Sequence, residues 1–193
     1  MGQFPKHEAA LSAAIEDIGK KEQPPGSNRG KFVEECQACT WLRGSGWPWC
    51  RAAVLKWRKQ AGDKPGDLSA GAWDALNRAH KRGEVLAPSQ WKQVIPGDEV
   101  IWNIGSGHSS LFEKFEYVGG QVLVCTIDGN SGDMVRRCQR PIGLVRGFIC
   151  WPEHGYDVPD KRPLLSVVGS VYGNRSLVVA GKSISLPRKE KVT

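Results

Sequence analysis

The period of the apolar residues changes once along this chain, at "IPGDEVIW" (95–102). Before that point the spacing is helical. Leu11, Ala14, Ile15 and Ile18 recur at the intervals of one helix face. "KEQPPGSNRG" (21–30) interrupts the pattern with two prolines and two glycines. Ser27 or Asn28 then stands where the cap of a second helix is expected, with Phe32, Cys36 and Cys39 along its stripe. A third helix is expected to start near Cys50 and end by Ala61-Gly62, with Cys50, Ala53, Val54 and Trp57 on one face. A fourth runs from about Ser69 to Lys81, with Trp73 and Leu76 inward, and "RGEVLAPSQWKQV" reads as a loop with a short helix. Pro96-Gly97-Asp98 is a turn signal, and alternation takes over after it. Val100, Trp102 and Ile104 read as a strand, and "HSSLFEKFEYV" and "QVLVCTI" as two more joined across Gly119-Gly120. "DMVRRCQR" and "LVRGFICW" complete an antiparallel sheet. Helices first and meandering strands second is an α+β arrangement, with the N-terminal helices packed on the sheet.

From His154 onward the character differs again. Pro159 and Pro163 mark a linker, and "LLSVVGSVYGNRSLVVAGKSISL" reads as two strands around Gly173-Asn174, followed by a basic tail. About thirty residues are too few for an independent core. The chain of 193 residues therefore divides into a domain over 1–153 and a hairpin extension over 154–193. A net charge of +7 favours polyanionic partners. Basic residues do not alternate with aromatics in a run, so nucleic acid is not the expected polyanion, whereas an anionic cell wall fits. No stretch approaches the length of a membrane span, and the first residues lack the apolar core and cleavage site of a signal peptide. The chain is expected to be a monomer that does not insert into membranes. Six cysteines, at 36, 39, 50, 125, 138 and 150, are then expected as reduced thiols.

One of those thiols is oddly placed. In "GSGWPWCRAAVLKW" a glycine turn and two tryptophans around a proline lead into Cys50, where the third helix begins. Helix N-termini favour thiolates, through the dipole and the free N–H groups. The same N–H groups can receive the oxyanion formed when a carbonyl is attacked. A packed core cysteine is the plainer reading of the same position. Of the four histidines, His108 in "GSGHSSLF" stands where a glycine loop becomes a strand, a rigid place for a general base. "TIDGNSG" ends the following strand with Asp128 and Asn130, either of which can orient an imidazole if the hairpin register is right. A three-residue loop over 119–121 sets His108 opposite Gly132 and keeps Asp128 and Asn130 on its face; a two-residue loop reverses that parity. Cys50 further requires that the helix cover the sheet face on which His108 lies. Thiol, histidine and carboxylate on separate but convergent elements make a nucleophile, a base and an orienting group.

Taken in order, "PPGSNRGKFVEE", "GSGWPWC", "PGDEVIW", "GSGHSSLFEKF" and "TIDGNSGDMV" resemble the pattern of CHAP domains, over roughly residues 10–152. These are cysteine- and histidine-dependent amidohydrolases/peptidases of papain-like fold, many of them bacteriophage endolysins or bacterial wall hydrolases. The resemblance implies cleavage of an amide in peptidoglycan, either the muramoyl–alanine bond or a peptide link. It implies Cys50 as nucleophile and His108 as base. Asp128 stands where the family usually has glutamate, so its reach is shorter and Asn130 becomes a rival or partner. Some members bind calcium through an acidic N-terminal loop that this sequence lacks, so neither metal nor other cofactor is expected. Without a signal peptide, a phage lysin of this kind is expected in the host cytoplasm until release to the wall, or with the virion. The alternative is a non-catalytic wall-binding or virion structural protein that keeps the papain-like fold.

Trp47 and Trp49 flank the thiol and are the expected substrate contacts, with Glu22 and Asn28 facing them from "EQPPGSN". Capping is the competing role for Asn28. Cys36 and Cys39 form a lone C-x-x-C without the second pair that a zinc site needs, so two half-buried helix cysteines are expected there.

Overall fold

The structure, a computed structural model, describes residues 4–152 and the strands at 176–179 and 182–185. Four helices come first: α1 (Pro5–Glu16), α2 (Lys31–Gln37), α3 (Cys50–Gln60) and α4 (Ala72–Arg82). Six strands follow: β1 (Val85–Leu86), β2 (Glu99–Trp102), β3 (His108–Val118), β4 (Gln121–Asp128), β5 (Arg136–Pro141) and β6 (Val145–Ile149). They form one antiparallel sheet in the order β1-β6-β2-β3-β4-β5. The α+β class read from the sequence is the class observed. The stretch read as a loop with a short helix holds the 3-10 segment Pro88–Gln93, preceded by a two-residue strand, β1.

Alternation assigns the two sheet faces. Leu111 and Ile127 meet Ala53, Val54, Leu55 and Trp57 of α3, together with Ala10 and Ala14 of α1. Ile101 and Ile149 meet Ala72, Ala75, Leu76 and Ala79 of α4 on the same side. Val100, Trp102, Phe112, Val124 and Phe148 pack on the other side, against Trp91 of the 3-10 segment and Phe115. Burial of this much apolar side-chain surface, at about 25 cal/mol per Å2, is the main force holding helices to sheet.

Three helical expectations change, one of them in α4, where Leu76 is buried as read but Trp73 is over a third exposed. α1 turns His7, Ala10 and Ala14 inward and leaves Ile15 and Ile18 over a third exposed. Its small residues let it lie close on α3, and Ile18 falls beyond its end. α2 is capped by Gly30 (φ 115°), not by Ser27 or Asn28, because residues 23–29 close a loop through Gln23 N–H donating to Arg29 O (2.9 Å).

α3 is buried on nearly every side, so its polar residues need partners. Arg51 Nε donates to Glu99 Oε1 (3.0 Å), and Ser109 Oγ donates to the same oxygen (2.7 Å).

The C-terminal strands β7 (Ser176–Val179) and β8 (Lys182–Ser185) pair with each other in a separate two-stranded sheet. Both strands fall within the segment read as the second strand of a hairpin around Gly173-Asn174; that turn, the strand before it, the linker and the basic tail lie outside the described residues.

Candidate active site

The β3–β4 hairpin decides whether His108 and Asp128 can meet. Its loop has two residues, Gly119 (φ 57°) and Gly120 (φ 80°), with Val118 opposite Gln121. Positive φ at both positions is the geometry of the two-residue hairpin turn that glycine permits. This corrects the expected three-residue loop. Continued without a break, the register would set Asp128 across from Leu111, on the wrong face. It does break: Lys114 pairs with Cys125, but Phe112 pairs with Thr126 and Leu111 with Ile127. Glu113 is thus an extra residue in β3, a bulge that restores the parity. One step further along, Asp128 lies across from Ser110, on the side of His108.

There His108 Nε2 meets Asp128 Oδ2 at 2.8 Å. Asp128 is fully buried and doubly anchored: Thr126 Oγ1 donates to Oδ1 (2.6 Å), and Arg140 Nη2 lies 2.8 Å from Oδ2. With Nε2 engaged, Nδ1 is the ring nitrogen left for the thiol, and the Cys50 side chain hydrogen-bonds the imidazole. His108 pairs with Trp102 in the ladder, so it belongs to the face opposite the one α3 covers. The expectation that thiol and imidazole share the helix-covered face is corrected accordingly. They meet because Cys50 is the first residue of α3 and His108 the first of β3, and the two elements come together at their ends.

The tryptophan turn explains why α3 starts at Cys50. Trp49 is the N-cap residue (φ −112°, ψ 15°), its carbonyl accepts from Ala53 N–H (3.0 Å), and its ring is fully buried. The indole Nε1 donates to Glu22 Oε1 (2.9 Å). Glu22, only 1% exposed, also accepts from Asn28 N–H through Oε2 (2.8 Å). With its amide turned to match donors to acceptors, Asn130 donates to Glu22 Oε1 (3.2 Å) and accepts from Trp49 N–H (3.2 Å), and the Asn28 side-chain oxygen lies 3.3 Å from the same amide. Gln37 Nε2 bridges Asn28 O (3.1 Å) and Trp47 O (2.7 Å).

Five residues singled out in the sequence are sorted by this network. Asn130 is committed to Glu22 and Trp49, so Asp128 alone orients His108. Glu22 and Trp49 are buried and hold the loop before the thiol; neither presents a surface to substrate. Asn28 and Trp47 are half-buried and keep accessible surface beside it. Glu22→Ala is expected to strand three buried donors at once and cost about 3 kcal/mol in urea unfolding. A loss under about 0.5 kcal/mol would show that the carboxylate is dispensable.

The electrostatics favour an ion pair. Burial pushes the Cys50 thiol up, but the hydrogen bond and charge of His108, with the N–H groups of Ser109 and Arg51, outweigh it and hold the thiol below its ordinary value. Burial pushes His108 down, and its bonds to Asp128 and Cys50 more than reverse that, raising it to about 9. Asp128 is lowered despite burial, by His108, Arg140 and Thr126. Three other thiols move the opposite way: burial raises Cys36 and Cys39, and raises Cys125 to about 11.

Iodoacetamide at about pH 6.5 is therefore expected to label Cys50 ahead of the other five thiols, read by peptide mass mapping. Reactivity that depends on the imidazolium should be present from the lowered thiol value upward and fall as pH rises through about 9. Labelling spread evenly over the six cysteines would rule the pair out.

Sequence reasoning missed Thr126, Arg140, Gln37 and Gly129. Thr126 had a signal, since it precedes Asp128 by two in a strand. Arg140 had none, being one arginine among several in "RRCQRP". Among the described residues no cluster of His, Cys, Asp and Glu is arranged to hold a metal ion, and no helix is long and apolar enough to cross a membrane. In comparisons with family models, curated proteins and solved structures, the chain finds no match.

Proposed function

We propose that this protein is a cysteine-dependent peptidoglycan hydrolase of papain-like, CHAP type, a lysin that cuts an amide bond of the bacterial wall. The observation that carries the reading is the Cys50–His108–Asp128 set, in which a thiol at a helix N-terminus faces a histidine oriented by a buried carboxylate. The motif order of the sequence supports it, and the charge of +7 suits an anionic wall.

The mechanism follows from the geometry. His108 Nδ1 holds the proton of the Cys50 thiol, and the thiolate adds to the amide carbonyl carbon. The Cys50 N–H, a first-turn donor without an intrahelical acceptor, faces the developing oxyanion. The tetrahedral adduct collapses, the C–N bond breaks, and the His108 imidazolium gives its proton to the leaving amine. Water then attacks the thioester with His108 as base, releasing the carboxylic acid and restoring the thiol. Asp128 keeps Nδ1 turned toward sulfur and carries the charge of the imidazolium through both halves.

Mass spectrometry of fragments released from defined peptidoglycan tests this. New amine and carboxyl termini at one bond, muramoyl–alanine or peptide, are the expected products. Binding to walls without any released fragment, together with an inert Cys50 thiol, would replace this reading by the non-catalytic wall-binding or virion protein.

A further inference from the structure

We infer that Arg140 is a positioning residue of this site, holding Asp128 in place and setting a fixed positive charge beside the His108–Asp128 pair. The inference rests on the reading of Cys50, His108 and Asp128 as the reacting set. Arg140 Nη2 lies 2.8 Å from Asp128 Oδ2, the same oxygen that His108 Nε2 meets at 2.8 Å. The guanidinium stacks over Trp102, 5.0 Å from the ring centroid, and Trp102 is the residue paired with His108 in the ladder. Arg140 Nη1 is buried with no hydrogen-bond partner among the described residues. A buried donor left unpaired is unfavourable, so general saturation does not explain where this side chain sits. The ring and the carboxylate do.

The consequence is electrostatic. Two cations share one carboxylate oxygen, and only one of them can give up its charge, because a guanidinium stays protonated. Arg140 therefore keeps Asp128 ionised while weakening its hold on the imidazolium. A carboxylate devoted wholly to His108 would bind that proton too firmly, and the proton must pass to the leaving amine in each turnover. The ionisable groups acting on His108 are Cys50 from α3 and Asp128 from β4. From β5, Arg140 acts on Asp128, while Arg136 and Cys138 both turn to Ser131 Oγ instead (2.9 and 3.4 Å). β2 contributes the neutral Trp102.

The test is the pH dependence of Cys50 alkylation in the full-length protein, which needs no substrate. Arg140→Gln removes the charge and keeps a donor for Asp128. Both limbs of its profile are expected to move to higher pH by about one unit, since loss of a cation disfavours the thiolate and favours the imidazolium. Arg140→Lys keeps the charge, and its limbs are expected to stay with the wild type. Limbs that do not move in Arg140→Gln, or that move down, overturn the inference even if the variant is less stable. Should Arg140→Gln not fold, limbs displaced in Arg140→Lys overturn it and limbs in place support it. Failure of the wild type to release wall fragments would refute the peptidoglycan reading while leaving this comparison intact.

Discussion

Cys50→Ala is expected to reduce release of wall fragments by about 10^4-fold or more, because no other group can form the covalent intermediate. The side chain is small and lies at the end of a helix, so the loss in stability is expected to stay near 1 kcal/mol. The informative second readout is His108. Its value near 9 depends on bonds to both Asp128 and Cys50. Without the thiolate, the imidazole is expected to titrate lower, with Asp128 still holding part of the shift. Cys50→Ser should be equally inactive, since a hydroxyl does not ionise beside His108 as a thiol does. A Cys50→Ala protein that still releases fragments at the wild-type rate would end the proposal of cysteine chemistry here.

Gly129→Ala is the second large effect, and it acts through packing. In "DGN" the glycine suggests a turn. Its backbone is not in the left-handed region, so alanine suits it conformationally. The obstacle is contact: an added Cβ would come within 2.5 Å of Ala53 Cβ and 3.1 Å of Trp49 Cζ3. The first turn of α3 lies directly on the end of β4, and this closeness brings Cys50 to His108. Overpacking there is expected to cost about 1–3 kcal/mol. It should also push the helix start away, so that Cys50 loses its preference for alkylation near neutral pH. Ala53→Gly in the same chain removes the clashing atom, and a double-mutant cycle in urea should show recovery beyond additivity. A Gly129→Ala protein as stable and as selectively labelled as the wild type would mean that the close approach is not needed.

Much of the frame was legible in the sequence because it depends on local periodicity. α3 begins at Cys50 as read, β3 and β4 occupy the segments read for them, and β5 and β6 follow within a few residues. The face of α1 was misread. Ile15 and Ile18 are the more hydrophobic choice, but close packing on α3 selects the small Ala10 and Ala14. Trp49 and Asn130 were read as contacts for substrate or histidine because they lie near the chemistry in sequence, and Glu22 because it stands in "EQPPGSN". Their burial and mutual hydrogen bonds arise between segments about 30 and 100 residues apart, and no local pattern encodes that.

The sequence alone determined that helices precede strands, that a thiol opens α3, and that a histidine and an aspartate lie on neighbouring strands. Each follows from a short run of residues. Tertiary structure alone decided that the aspartate reaches the histidine. The glycine turn by itself puts His108 and Asp128 on opposite faces, and the bulge at Glu113 returns them to the same one. A single extra residue reverses every side chain beyond it. Whether a strand accommodates one depends on packing across the whole sheet.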